Sequence, residues 1–512
     1  MRAPPPIVLD DDGIAAVDVV AVAREGRDVV LGDRAVAAIR RGAAVLAALA
    51  AGEAPVYGVT TGFGALANTV IPGDRLAELQ LALVRSHAAG MGTPVEAEVV
   101  RAMVLLRARS LAMGYAGVRL EVVEAMCGLL NAGLTPVVDE HGSLGASGDL
   151  APLAAVALAL LGEGEVDTPD GRVPAGRALA DAGLAPLALG PKEGLALING
   201  TDGMLGMLVL ALADLRDLYA VADVVAAMSA EALLGTDRAF AADLVAMRPH
   251  PGQQVSAANL RALLDGSPLV ASHRAHPGRV QDAYSIRCTP QVHGAGRDLL
   301  DVAAGIADRE LVSFVDNPVV LPDARVASCG NFHGAPVAYA ADLLAIPAAD
   351  LAALSERRTD RLLDPARSSG LPPFLSPDAG VNSGLMIAQY TQAAMVAETR
   401  RLASPASVDT LSTSAGQEDH VSMGWSACRK LRTAVADVRR VLAVELLAAA
   451  HAIALRAPLR AAAATGAVAE RVVDVAGGPG PDRHLAPRLA AVEALVADGT
   501  ALATARRHVE GR

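Results

Sequence analysis

Aromatic side chains are scarce in this 512-residue chain, which holds one Trp, six Tyr and five Phe. A core without large rings must be packed from Ala, Leu and Val, because hydrophobic residues still make up 52% of the sequence. Ala and Leu favour helices, so the expected fold is mostly α. Charged residues at 20% beside that apolar content exclude a disordered chain. Basic charge is also in deficit. Forty-four Lys and Arg against fifty-six Asp and Glu leave a net charge of −12. That argues against a nucleic-acid partner, whose binders carry a basic surface. It leaves room for a small anionic substrate, which needs only one or two local cations.

Cysteine is rare and dispersed. Cys127, Cys288, Cys329 and Cys428 form no CxxC pair, which argues against a zinc site or a disulfide framework and suits a reducing cytoplasm. The eleven histidines show no HExxH or other metal-like spacing, so no metal is expected. No uninterrupted apolar run reaches the roughly 18 residues of a membrane span. The start, Met1-Arg2-Ala3-Pro4-Pro5-Pro6, is followed by no apolar signal stretch. These absences predict a cytoplasmic protein with no membrane partner.

What is present is helical periodicity broken by glycine. At roughly 100–200 residues per domain, two or three regions are expected. A strand-like start leads to an Ala-rich helix near residues 35–50, and helical patterns follow at 75–88, 95–113 and 150–161. Glycine-dense loops lie at 57–64 and 141–148, and the Asp170-Gly171 step predicts a small hairpin within 162–176. Beyond residue 204 the apolar stripes lengthen, at 205–234, 337–364, 384–402 and 426–456. Helices longer than the usual ~11–12 residues predict an elongated central bundle, with Pro347 kinking one member. The run Gly477-Gly478-Pro479-Gly480-Pro481 precedes a helical tail. The division is therefore 1–204, a mixed, loop-rich region expected to carry the active site; 205–470, the long-helix bundle; and 471–512, the tail. Ala-rich bundles often cover their remaining apolar faces with copies of themselves, so an oligomer is expected.

The loop His141-Gly142-Ser143-Leu144-Gly145-Ala146-Ser147-Gly148-Asp149 admits several readings. It is no phosphate loop, because no Lys-Ser or Lys-Thr follows. It is no nucleophile elbow, because the second glycine of GxSxG is missing. A tight glycine turn feeding a helix fits by pattern alone. A chemical reading fits too. The Gly148 amide nitrogen can attack the Ala146 carbonyl, unobstructed by any Cβ. Loss of water closes a five-membered ring, and dehydration of Ser147 leaves an exocyclic methylidene, an electrophile that no ordinary side chain supplies. The tripeptide by itself does not decide between the turn and the ring.

Its surroundings do. Tyr57-Gly58-Val59-Thr60-Thr61-Gly62-Phe63-Gly64, Ser86-His87-Ala88-Ala89-Gly90, residues 142–152 and Asn199-Gly200-Thr201-Asp202 form the first half of a pattern. Gln281-Asp282-Ala283-Tyr284-Ser285-Ile286-Arg287-Cys288, Val315-Asp316-Asn317-Pro318, Gly330-Asn331-Phe332-His333 and Gln417-Glu418-Asp419-His420-Val421-Ser422-Met423-Gly424 complete it. In this order the chain resembles the aromatic amino-acid ammonia-lyases over most of its length. The resemblance implies a mostly α-helical homotetramer whose active sites draw on three subunits. It also implies a methylidene-imidazolone made autocatalytically from Ala146, Ser147 and Gly148, with no diffusible cofactor.

The resemblance further assigns roles. Tyr57 takes the Cβ proton, for which its usual pKa near 10 must fall; a loop Tyr could otherwise merely pack. Asn199 hydrogen-bonds near the ring and the substrate amine, although Asn-Gly is also a frequent helix break. Arg287 pairs with the substrate carboxylate through its planar guanidinium. If residues 281–287 are helical, Gln281, Tyr284 and Arg287 share one face. Phe332 lines the pocket, a position a core Phe would also fill. His87 and Glu418 set selectivity: together they can satisfy both imidazole nitrogens, and a phenyl ring would leave them unpaired. That pairing points to L-histidine as substrate. The alternatives are an ammonia-lyase or aminomutase for tyrosine or phenylalanine, and a non-catalytic helical scaffold. Cys329, His333, Asp419 and His420 sit inside the motifs without a derivable role.

Overall fold

The computed structural model describes residues 4–52, 61–62, 69–146, 148–275 and 278–510. Tyr57 and Ser147 lie outside the described residues. The fold is mostly α, as the composition requires. The Ala-rich pattern near 35–50 forms the helix Asp33–Ala50, and the next stripes form Leu76–His87, Ala97–Ala112 and Leu150–Leu160. The four long stripes become Asp202–Ala232, Ala335–Leu363, Met386–Leu402 and Gly424–Leu455. Pro347 lies within Ala335–Leu363, and helix continues on both sides of it. Glu193–Ala232 and Ala335–Leu363 are long and apolar enough to cross a bilayer by length and composition. Charged residues interrupt both, and the apolar window of the first is wholly buried inside the protein.

Strands are short. Ile7–Leu9 pairs in parallel with Val29–Leu31. The expected hairpin is Glu165–Thr168 against Gly171–Pro174, with Thr168 opposite Gly171. Thr168 Oγ1 closes it by donating to the Gly171 carbonyl at 2.8 Å.

Packing divides the chain into two compact units, each discontinuous in sequence. The first holds Met1–Leu210, Ala304–Asp342 and Pro405–Arg429; the second holds Ala211–Ala303, Leu343–Ser404 and Lys430–Arg512. The division at residues 204 and 470 partitions the chain by sequence character, and these units partition it by packing.

In the first unit, Ala97–Ala112 packs against the helices Ala16–Glu25, Asp33–Ala50 and Leu120–Asn131. Val99, Met103, Leu105 and Leu106 are buried there, each stabilising the fold by about 1.5–3 kcal/mol. Arg107 and Arg109 of the same helix are also fully buried. Carbonyl oxygens replace part of their lost water, while Arg107 Nε and Nη2 and Arg109 Nε have no partner among the described residues. Arg109 donates to Ser313 and Glu310 carbonyls, and burial pushes its guanidinium down to about 10. Arg107 reaches the candidate site. A second group, Leu76–His87, Leu150–Leu160 and Glu193–Ile198, packs together beside the glycine loop's outgoing helix.

In the second unit, Pro251–Leu264, Ala463–Ala476 and Thr500–Glu510 pack on one another. A buried Arg358–Glu445 pair closes at 2.5 and 2.9 Å, and Ser229 donates to the same carboxylate at 2.6 Å.

Candidate active site

The glycine loop enters from the strand Asp139–His141 and leaves into the helix Leu150–Leu160. Gly145 and Gly148 face each other as an isolated antiparallel bridge, and Ala146 lies in a turn. Both glycines are left-handed, at φ +70° and +80°, a conformation that costs other residues about 1–2 kcal/mol. A Cβ on Gly148 would stand 2.1 Å from the Gly200 carbonyl oxygen, and one on Gly145 would stand 2.0 Å from Ser422 Oγ. Neither position admits a side chain without rearrangement.

Two distant segments clamp this turn. From one, Gly200 accepts the Asp149 N–H at 2.7 Å. From the other, the Met423 N–H donates to the Leu144 carbonyl at 2.8 Å, and Ser422 Oγ donates to Gly145 at 3.4 Å. Within the loop, Ser143 Oγ accepts the Gly145 N–H at 3.2 Å and donates to Asp149 Oδ1 at 2.9 Å. Asp149 Oδ2 accepts the Met204 N–H at 2.9 Å. Burial pushes the Asp149 carboxyl up to about 7.

Asn199 ends the short helix Glu193–Ile198, next to the Gly200 clamp. Its Nδ2 donates both hydrogens, to Asp316 Oδ1 at 2.9 Å and to the Asn317 carbonyl at 2.8 Å. The reverse amide orientation would set its oxygen against those two acceptors. Its Oδ1 is buried and has no hydrogen-bond partner among the described residues. Arg107 Nη1 holds the Asn199 carbonyl, Asp202 Oδ2 and the Val315 carbonyl, each at 3.1 Å. Cys329 joins the same cluster, its N–H donating to Asn317 Oδ1 at 2.9 Å.

His87 ends the helix Leu76–His87. Its Nδ1 lies 2.9 Å from the Leu83 carbonyl, which can only accept, so Nδ1 carries hydrogen. In the neutral ring Nε2 is then an acceptor. The strand after it, Met91–Pro94, pairs with Asp139–His141 and so runs beside the loop's entry. Glu418 faces Thr413 across a turn with left-handed Ser414, Ala415 and Gly416. Thr413 Oγ1 donates to Glu418 Oε2 at 2.7 Å. Phe332 is partly buried in its own turn, and His333 stacks on His420 with ring centres 5.5 Å apart.

The remaining predicted residues belong to the second unit. Gln281, Tyr284 and Arg287 line one pocket with Arg361 and Arg367. Only Tyr284–Arg287 is helical, so the condition for Gln281 to share a helical face with Tyr284 and Arg287 is not met. The Asp282 carboxylate accepts the Thr236 N–H at 2.7 Å and Arg279 Nε–H at 2.6 Å. The Arg287 guanidinium lies over the Tyr284 ring at 4.5 Å, and its Nε donates to the Asp282 carbonyl at 3.0 Å. Tyr284 is 70% exposed.

The first unit therefore gathers Ala146, Gly148 and Asn199 around the loop, with the motifs of His87 and Glu418 tied to the same loop by strand pairing and by the Met423 clamp. Sequence reasoning passed over Lys192, Asp149 and Arg107. Asp149 directly follows the ring tripeptide, which was an available signal; Lys192 and Arg107 had none. Among the described residues, no group of three or more His, Cys, Asp and Glu side chains is gathered as for a metal ion.

The compressed glycine turn and the unmet acceptor of Asn199 fit a ring made from residues 146–148. Known proteins share this arrangement of chain. The aromatic amino acid lyase family model matches residues 14–474. A histidine ammonia-lyase of Streptomyces griseus is 61% identical over 501 residues, covering 97% of this chain and 98% of its own. The crystal structure of histidine ammonia-lyase from Trypanosoma cruzi is similar at 40% identity and TM-score 0.90, covering 98% of this chain and 96% of its own. A tyrosine aminomutase from Streptomyces globisporus is similar at 36% identity and TM-score 0.93, covering 98% and 99%. By the family match over residues 14–474 and that identity along nearly its whole length, the chain belongs to the aromatic amino acid lyase family.

Proposed function

We propose that the chain is a histidine ammonia-lyase, eliminating ammonia from L-histidine to give trans-urocanate. The observation that carries the chemistry is the Gly145–Gly148 turn, clamped by Gly200 and Ser422 and lacking room for a side chain at either glycine. In the proposal Ala146, Ser147 and Gly148 supply a methylidene-imidazolone, whose electrophilic carbon turns the substrate amine into a leaving group.

The protein's own side chains bind and orient. Asn199 offers only an acceptor, because both its amide hydrogens are taken. It therefore suits an N–H of the substrate amine. With a neutral His87 ring, Nε2 and the Glu418 carboxylate are both acceptors, which suits the two N–H groups of an imidazolium and not a phenyl edge. Thr413 fixes one Glu418 oxygen, which sets the carboxylate's direction. Arg287 receives the substrate carboxylate, its plane held by the Tyr284 ring, with Gln281 beside it and Phe332 packing the substrate. Tyr57 is the proposed base for the Cβ proton. The proposal includes a cytoplasmic homotetramer with active sites shared between subunits.

The names of the similar proteins support histidine as substrate, while the aminomutase likeness keeps tyrosine as the second reading. The test incubates the protein separately with L-histidine, L-tyrosine and L-phenylalanine. A conjugated alkene product formed fastest from histidine supports the proposal. A β-amino acid product, or preference for tyrosine, overturns it.

A further inference from the structure

Lys192 and Asn199 stand at the two ends of one six-residue helix, Glu193–Ile198. Lys192 is fully buried, and its backbone is left-handed at φ +66°. A non-glycine residue persists in that conformation only where its surroundings hold it there. Its Nζ donates to Asp316 Oδ2 at 2.6 Å and to the Ala116 carbonyl at 3.0 Å. Asp316 is likewise fully buried. Its other oxygen, Oδ1, accepts from Asn199 Nδ2 at 2.9 Å and from the Asn317 N–H at 2.7 Å.

One carboxylate thus joins both ends of the helix. Burying two charges is costly unless their remaining hydrogen-bonding capacity is met. Here both carboxylate oxygens are engaged, and the ammonium has two partners. A well-packed apolar pair could replace such an ion pair without loss of stability, so stability alone does not account for it. Its consequence for Asn199 is directional. The charged Asp316 oxygen fixes which end of the amide is the donor, and the Asn317 carbonyl takes the second hydrogen. The unpartnered Oδ1 is then presented as a fixed acceptor.

We propose that Lys192 and Asp316 are positioning residues that hold the Asn199 amide with its oxygen toward the substrate amine. This rests on the proposed role of Asn199 in the lyase reaction. Lys192 acts through Asp316, and Asp316 acts through Asn199. Neither touches the reacting atoms.

A double-mutant cycle on the full chain tests the order of action. Asp316→Asn, Asn199→Ala and the combined variant are compared with wild type for kcat/KM on L-histidine, and intact mass reports whether the two waters of ring formation have been lost. Asp316→Asn alone is expected to lower kcat/KM roughly 10- to 100-fold, the scale of a lost charge-assisted hydrogen bond, with the ring still formed. In the Asn199→Ala background the same change should cost less than about threefold. A merely structural role lowers both backgrounds by the same factor, which would overturn the proposal, as would full activity of Asp316→Asn. If Asp316→Asn does not fold, Lys192→Met/Asp316→Asn, which leaves no unpaired charge, takes its place in the cycle. Failure of both to fold also overturns it, because the pair would then serve the fold. A wild-type protein that leaves histidine unchanged overturns the proposed function, and this inference falls with it.

Discussion

Gly148→Ala tests whether the loop's compression matters. The new Cβ would lie 2.1 Å from the Gly200 oxygen and 2.4 Å from its carbonyl carbon. Gly200 cannot easily retreat. A Cβ built on it would already stand 2.0 Å from Arg107 Nη1 and 2.1 Å from Asp202 Oδ2, so charged groups back it closely. The loop must move instead, and it then loses the Asp149 N–H bond to Gly200. That hydrogen bond is worth about 1 kcal/mol. The left-handed φ of +80° adds about 1–2 kcal/mol for alanine. Together these cost about 2–3 kcal/mol, or roughly 30- to 150-fold in turnover if the loop geometry governs the matured site. Gly145→Ala is the milder control, because its Cβ meets a rotatable hydroxyl, Ser422 Oγ. Intact mass would follow the loss of two waters, and kcat/KM on histidine would follow the site. Complete ring formation and native turnover in Gly148→Ala would refute the reasoning.

Ser147→Ala should leave a folded protein with almost no lyase activity, because no hydroxyl remains to leave; near-native turnover sinks the ring. His87→Leu removes a partly buried polar partner, so histidine turnover should drop by roughly 5- to 150-fold, while phenylalanine turnover falls less or rises. Glu418→Gln keeps the shape and removes the charge, and should lower the ratio of kcat/KM for histidine over phenylalanine; an unchanged ratio in both variants contradicts the selectivity argument. Asp149 gives a pH prediction. Its folded carboxyl, at about 7, lies above the ordinary value near 3.9, so the folded state holds that proton more tightly. Its contribution is full below about pH 4 and is lost as pH rises through about 7. Chemical denaturation should show the stability of wild type relative to Asp149→Asn falling between about pH 4 and pH 7; a relative rise would contradict the assignment.

Helices were legible because Ala and Leu recur at helical spacing, and the hairpin because Asp170-Gly171 suits a tight turn. The motif residues were legible through resemblance. What the sequence concealed was pairing over distance. Lys192 reads as a charged loop residue, and its partner Asp316 lies 124 positions away. Arg107 and Arg109 read as polar breaks in an apolar helix, yet both are buried in the core with hydrogen bonds to carbonyls from far along the chain. Local periodicity holds no record of such partners. The Asp282 carboxylate likewise accepts the Thr236 N–H from 46 positions away.

The most direct measurement of the central claim is turnover of L-histidine by the purified full-length chain, followed as conjugated product and compared with tyrosine and phenylalanine. Histidine should give trans-urocanate and ammonia in equal amounts, with kcat/KM well above that for either other substrate. No product from histidine, or faster turnover of tyrosine, would contradict the account.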